Sequence, residues 1–135
     1  MENEGKLKIK EEAPEWVKKM PPVYNKARML LLQFMASTKK CPREMKYGII
    51  ANTTNDLLYM MKMITKANDA FDRPKERIVF IEKAQEILDD VRISARVLFD
   101  AGVMKKTGFH AITQLEAEAF VQLKSWKASE LKKTI

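Results

Sequence analysis

The chain is 135 residues long and carries 25 Lys and Arg against 18 Asp and Glu, a net charge of +7. That length suits one domain with a substantial core, and the low content of Gly (4) and Pro (5) lets most residues lie in regular structure. The single cysteine excludes an internal disulfide, the charged start MENEGKLKIKEE lacks the apolar stretch of a secretion signal, and the longest apolar runs, 29–32 and 57–61, are far too short to span a bilayer. The expectation is a soluble, cytoplasmic protein with no membrane association.

Residues 1–19 mix both charge signs with few apolar side chains and read as a flexible charged arm, leaving 20–135 as the folded unit. Trp16 and Val17 are placed to pin the end of the arm. Pro21 and Pro22 mark the start of the first helix, expected from Val23 to Thr38. Tyr24, Ala27, Leu31, Phe34 and Thr38 recur at steps of three and four, which makes one helix face. Lys39-Lys40-Cys41-Pro42 ends it, and Pro42 opens a second helix to Asn68 with a seam of Ile50, Thr53, Leu57, Met60, Met61 and Ile64. Gly48 lies inside that helix; a mid-helix glycine costs ~1 kcal/mol relative to alanine, and close approach of a neighbouring helix is the expected reason for it.

Residues 68–73 read as a turn. Asp72 is the candidate cap for a third helix, Pro74 to Ala101, where Ile81, Ala84, Leu88, Val91, Ala95 and Leu98 form the most regular heptad seam in the chain. Gly102 is a natural stop. The fourth helix is expected after Thr107-Gly108, running to about Lys132 with Ile112, Leu115, Ala119, Leu123 and Trp126 as its seam. No run of convincing length has the two-residue period of a strand. Short connections between long helices favour antiparallel neighbours, so the expected fold is all-α, an antiparallel up-down-up-down four-helix bundle.

The charge is uneven along this frame: residues 1–19 are neutral, 20–66 carry +6, 67–104 carry −2 and 105–135 carry +3. The expected topology brings the first and third turns to one end and gathers Lys39, Lys40, Arg43, Lys46, Lys105 and Lys106 there. Arg92 and Arg96 share one flank of the third helix. A compact basic surface attracts polyanions, RNA or DNA among them; a Lys-rich surface also serves plain solubility. Basic residues interleaved with aromatics, as around Tyr59 and Trp126, suit single strands, although Trp126 falls on the expected seam.

Apolar side chains also point away from the seams: Met29 and Leu32 on the first helix, Leu58 and Tyr59 on the second, Val79 and Ile93 on the third, Phe120 and Val121 on the fourth. Such pairs on every helix suggest that the outer faces pack as well, through self-association or a protein partner; broad stripes closing an irregular core are the alternative.

Chemistry is poorly provided for. His110 has no partner at metal spacing. Cys41 has Lys39, Lys40 and Arg43 nearby to favour a thiolate, but no assigned base, and reads as a packing residue. Glu82, Glu86, Asp89 and Asp90 share the outward face of the third helix and suit solvation or a basic partner; inward Glu-x-x-His pairs for a two-metal bundle are missing. A phosphate-cradling glycine loop is missing too. The expectation is a non-enzyme without metal or cofactor.

The turn Cys41-Pro42-Arg43-Glu44-Met45-Lys46-Tyr47-Gly48-Ile49 resembles the segment after the first helix in a family of small basic four-helix bundles. There an apolar residue, Pro, a basic residue, two variable positions, a basic residue, an aromatic, a small residue and Leu follow in order. The family includes the accessory variability determinant proteins of diversity-generating retroelements; its relatives include four-helix proteins encoded in intervening sequences of ribosomal RNA genes. The likeness spans about residues 23–127 and extends to Leu57–Ala67 with the turn after it. Cys41 replaces a larger apolar residue, and Lys124-Ser125-Trp126 stands where the family has Gly-Gly-Trp. The resemblance implies a basic homopentamer that binds a reverse transcriptase and its template RNA and assists mutagenic reverse transcription without catalysis of its own. A protein-only adaptor working through the apolar outer faces and the acidic third helix is the alternative. Light scattering at micromolar concentration should show an assembly larger than one chain; a stable monomer would contradict the reading of the outward apolar pairs.

Overall fold

In the computed structural model, residues 13–135 are described, and among them all regular structure is helical. The elements are α1 (Glu15–Lys18), α2 (Pro22–Ser37), α3 (Arg43–Met45) running into a π-helical turn (Lys46–Ile50), α4 (Ala51–Asp69), α5 (Pro74–Asp100) and α6 (Lys106–Lys132). Of the expected arm, residues 1–12 lie outside the described residues. Within 13–19, α1 buries Val17 and sets Trp16 edge-on to Tyr24 at 5.9 Å.

Each long helix touches two others: α2 packs on α4 and α6, and α5 packs on α4 and α6. The core follows the heptad spacing most closely on α5, where Ile81, Ala84, Leu88, Val91, Ala95 and Leu98 are all essentially solvent-free. Each Leu, Ile or Val so buried contributes about 1.5–3 kcal/mol. On α6, Ile112, Leu115, Ala119 and Leu123 are buried and Trp126 packs against the core from its edge. Thr53 is also buried, its hydroxyl returned to the Ile49 carbonyl at 2.7 Å. On α2 the buried line is Val23, Ala27, Leu30, Gln33 and Phe34, with Tyr24 and Leu31 only partly covered.

Helix ends depart from the sequence expectations in three places. Gly48 is not the site of a helix crossing: a Cβ built there meets nothing within 4 Å. Its φ of −105° and ψ of −107° break the helical repeat inside the π turn, so the glycine marks a kink. Asp72 does not cap α5; the N-cap is Arg73, without a side-chain cap bond, and Asp72 faces the Arg73 guanidinium at 3.5 Å. α6 begins at Lys106, earlier than expected, and takes Gly108 into its buried face. The stop at Gly102 holds. Its φ is +78°, its N–H bonds to Phe99 O at 3.0 Å, and Val103 N–H reaches Leu98 O at 3.2 Å, the paired bonds of a Schellman motif.

A charged pair lies inside. Arg77 donates to Glu130 Oε1 at 2.9 Å, to Ala67 O at 2.7 Å and to Asn68 O at 3.1 Å, so one guanidinium ties the α4–α5 turn to the end of α6. Trp126 lies under the same guanidinium at 5.5 Å. Burial opposes ionisation of Glu130, but hydrogen bonds from Arg77 and Lys133 outweigh it and hold the carboxyl below its usual range. Its stabilising effect is therefore present above the ordinary carboxyl pKa and lost as pH falls through the lower folded value. Glu130→Ala leaves Arg77 buried and uncompensated and should cost about 3–5 kcal/mol in denaturant unfolding; a loss below ~1 kcal/mol, the scale of an exposed pair, would show that the pair is not a fastening of the fold.

Candidate nucleic-acid interface

Two turns meet at one end of the molecule. The Cys41 thiol donates to Val103 O at 3.4 Å across 62 residues of chain, because the Gly102 turn carries Val103 back toward the segment that follows α2. Cys41 is buried, and burial raises its pKa against the opposing charge of Lys46. The thiol is thus a packed contact between turns, and the thiolate that the neighbouring cations suggested is disfavoured.

Around this contact lie the expected basic residues. Lys39, Lys40 and Lys105 line one groove with Ala36, Val103 and Gly108. Lys106, Arg43 and Lys46 are exposed beside it. Arg43 lies over the Tyr47 ring at 5.5 Å, and that ring is 74% exposed. Among the described residues, Lys39, Lys40, Arg43, Lys46 and Lys106 have no carboxylate partner. α6 starts here with no acidic residue in its first turn and no side-chain cap, so its unpaired N–H groups add to the positive field. The far end of the molecule is also basic but is offset: Arg73 pairs with Glu76 at 2.6 Å and Lys133 with Glu130 at 3.0 Å.

Arg92 and Arg96 do not join the cluster. They line a separate groove between α5 and α6, where Arg92 lies 3.7 Å from Asp89 and Arg96 lies 3.1 Å from Asp100. Glu82, Glu86, Asp89 and Asp90 are exposed along α5; Glu82 pairs with Lys127 of α6 at 3.1 Å, and burial followed by the Asp90 charge pushes Asp56 of α4 upward. Of the outward apolar residues, Leu58, Tyr59, Val79, Ile93, Phe120 and Val121 are exposed. Met29 and Leu32 are half-buried, and Met29 packs against the core, which leaves less of them for a partner. His110 is exposed on the first turns of α6. No group of three or more His, Cys, Asp or Glu among the described residues is placed to hold a metal ion, and no described helix is long and apolar enough to cross a membrane.

Sequence reasoning missed Tyr47 as an exposed aromatic beside Arg43, although the kink-forming Gly48 next to it is a signal. It also missed Glu116, which is 95% buried by its 5% exposure and whose Oε1 has no hydrogen-bond partner. Burial pushes this carboxyl up to about 7, against the opposing pull of Arg92.

No protein-family model matches the chain, and no curated protein matches it.

The raised Glu116 pKa has a sign. The folded chain holds this proton more tightly than the unfolded one, so stability is full below the ordinary carboxyl pKa and declines as pH climbs to about 7. Glu116→Gln should remove that decline and be more stable than the parent at pH 8 by about 3 kcal/mol, the two melting curves converging near pH 4.5. Parallel pH dependence in both proteins would show that Glu116 carries no such shift.

Proposed function

We propose that the chain is an antiparallel up-down-up-down four-helix bundle that serves as a non-catalytic, nucleic-acid-binding accessory subunit, with Lys39, Lys40, Arg43, Lys46, Lys105 and Lys106 as its phosphate contacts. Contacts between α5 and α6 support an antiparallel course for that pair: Arg77 meets Glu130, Lys127 meets Glu82 and Phe99 stacks on Phe109, each pairing the start of one helix with the end of the other. The observation that carries the function is the contact of the two turns at Cys41 and Val103, with Lys39, Lys40 and Lys105 around one groove and an uncapped helix start beside it. Lysines on mobile stems suit phosphates without reading bases, and Tyr47 with Arg43 offers a stacking surface for a single strand. By its resemblance to the retroelement accessory proteins, the partner would be a reverse transcriptase with its template RNA, in a cytoplasmic complex containing several copies of this chain, five by that likeness.

A second reading, a protein-only adaptor, is favoured by one feature: the exposed apolar Ile93 and Val97, on the same helix as the exposed acidic residues of α5. Salt dependence separates the two. Phosphate contacts release counterions, so the logarithm of affinity for single-stranded RNA should fall against the logarithm of salt with a slope of roughly −4 for six contacts. The combined change K39E, K40E and R43E should weaken binding at least about tenfold with an unchanged helical circular-dichroism spectrum. A flat slope removes the nucleic-acid reading, and unaltered affinity in the triple variant clears those residues of the role.

A further inference from the structure

The α5–α6 groove differs in chemistry from the basic end. It is open to solvent, about 550 Å³ in volume, within the range of small-molecule sites. Arg92 and Arg96 stand along it, and Ile93, Val97 and Phe109 supply apolar surface, with Ile93 and Val97 at least half exposed. Glu116 contributes its carboxylate, with Oε1 sealed from solvent and accepting no hydrogen bond. An unpartnered buried carboxylate oxygen is costly, and the terminal torsion of Glu is broad and nearly two-fold, so either oxygen can be turned to the groove. The nearest cations do not satisfy it: Arg92 and Arg96 are directed to Asp89 and Asp100. Those pairs are exposed and weak, and both guanidinium groups are available to an incoming anion at little cost.

The occupant must therefore combine three properties. It presents adjacent N–H donors to a carboxylate, it has a flat face that packs on apolar side chains or guanidinium planes, and it carries negative charge where Arg92 and Arg96 stand. A metal ion or a lysine of a partner would have to pass two guanidinium groups to reach Glu116, and Asp89, the other carboxylate lining the groove, already faces Arg92. Among nucleic-acid bases, guanine alone places two donors side by side, its N1–H and exocyclic amine, and both can converge on the one carboxylate oxygen turned to the groove. Adenine and cytosine set a donor next to an acceptor, and uracil flanks its one N–H with carbonyls.

We infer that the α5–α6 groove binds a guanine base of a single-stranded nucleic acid, with Glu116 accepting from its N1–H and amino group and Arg92 and Arg96 holding the flanking phosphates. This rests on the nucleic-acid reading above and adds base selectivity to it. Because the ionised carboxylate is the binding form, selectivity also depends on pH. The charged groups around Glu116 are Arg92, Arg96 and Asp89 on α5; on the α2 side of α6, Lys26 is engaged by Glu118 at 2.6 Å.

The test uses the full chain and four seven-nucleotide RNAs, all uridine except for a central G, A, C or U, followed by fluorescence anisotropy at fixed salt. The G oligomer should bind about tenfold more tightly than the U oligomer, the scale of one good bidentate base contact. Glu116→Gln should bring that ratio close to one. In the unaltered chain the ratio should rise several-fold from pH 6 to pH 8 as the carboxylate ionises; phosphodiester charge is shared by all four oligomers and cancels. The pH arm decides the matter should the variant fail to fold. Salt-dependent binding with equal affinity for all four oligomers overturns this inference and leaves the phosphate contacts standing. A preference for G that survives Glu116→Gln, or that is flat with pH, also overturns it. Absence of binding to any oligomer at low salt overturns both readings.

Discussion

Burial of the α5 seam is the constraint from which the rest follows. Ile81, Ala84, Leu88, Val91, Ala95 and Leu98 line one face of a 27-residue helix and lose essentially all their exposure between α4 and α6. A helix held on two sides fixes where its ends lie. At one end Arg77 reaches back to Ala67 and Asn68 and across to Glu130. At the other the Gly102 turn sends the chain toward Cys41. The basic groups of two separate turns become one field only because this packing brings the turns together.

Two buried carboxylates show how the interior treats charge. Glu130 is bonded by Arg77 and Lys133 and is held in its ionised form. Glu116 has no such partner, and burial leaves it close to balance between its two forms near neutral pH. The first is a fastening across 53 residues of chain. The second costs the fold stability as pH rises from the ordinary carboxyl range to about 7, and its position in a groove with two arginines makes it the more informative of the two about function. Exposed pairs such as Arg96–Asp100 add little to stability, but they set how readily the guanidinium groups turn to another anion.

The seams of α5 and α6 were legible in the sequence because a long helix with neighbours on two sides repeats its apolar residues at three and four; on α4 the expected Met61 is only partly covered, and Met63 and Ala67 are buried as well. The helix ends were less legible. Gly48 looks the same in sequence whether a neighbour approaches or the helix kinks, and only backbone angles separate the two. Asp72 has the right side chain for a cap, yet the chain enters α5 through Arg73. The lysines of the basic end could be counted from the sequence, but their meeting depends on contacts such as Cys41 to Val103, 62 residues apart. Glu116 was invisible for the opposite reason. With Glu118 two residues away it reads as part of a solvated flank, and only the packing of α5 onto α6 buries one and leaves the other accessible to Lys26. Arg77, in a charged stretch beside Lys75 and Glu76, was hidden in the same way.

Whether two packed turns form a single polyanion-binding end is most directly read by lysine footprinting. Acetylation of the chain with and without saturating single-stranded RNA, quantified lysine by lysine, should show Lys39, Lys40, Lys46, Lys105 and Lys106 protected together, with Lys62 and Lys124 still reactive. Protection confined to one of the two turns, or spread evenly over the helices, would contradict a shared binding end.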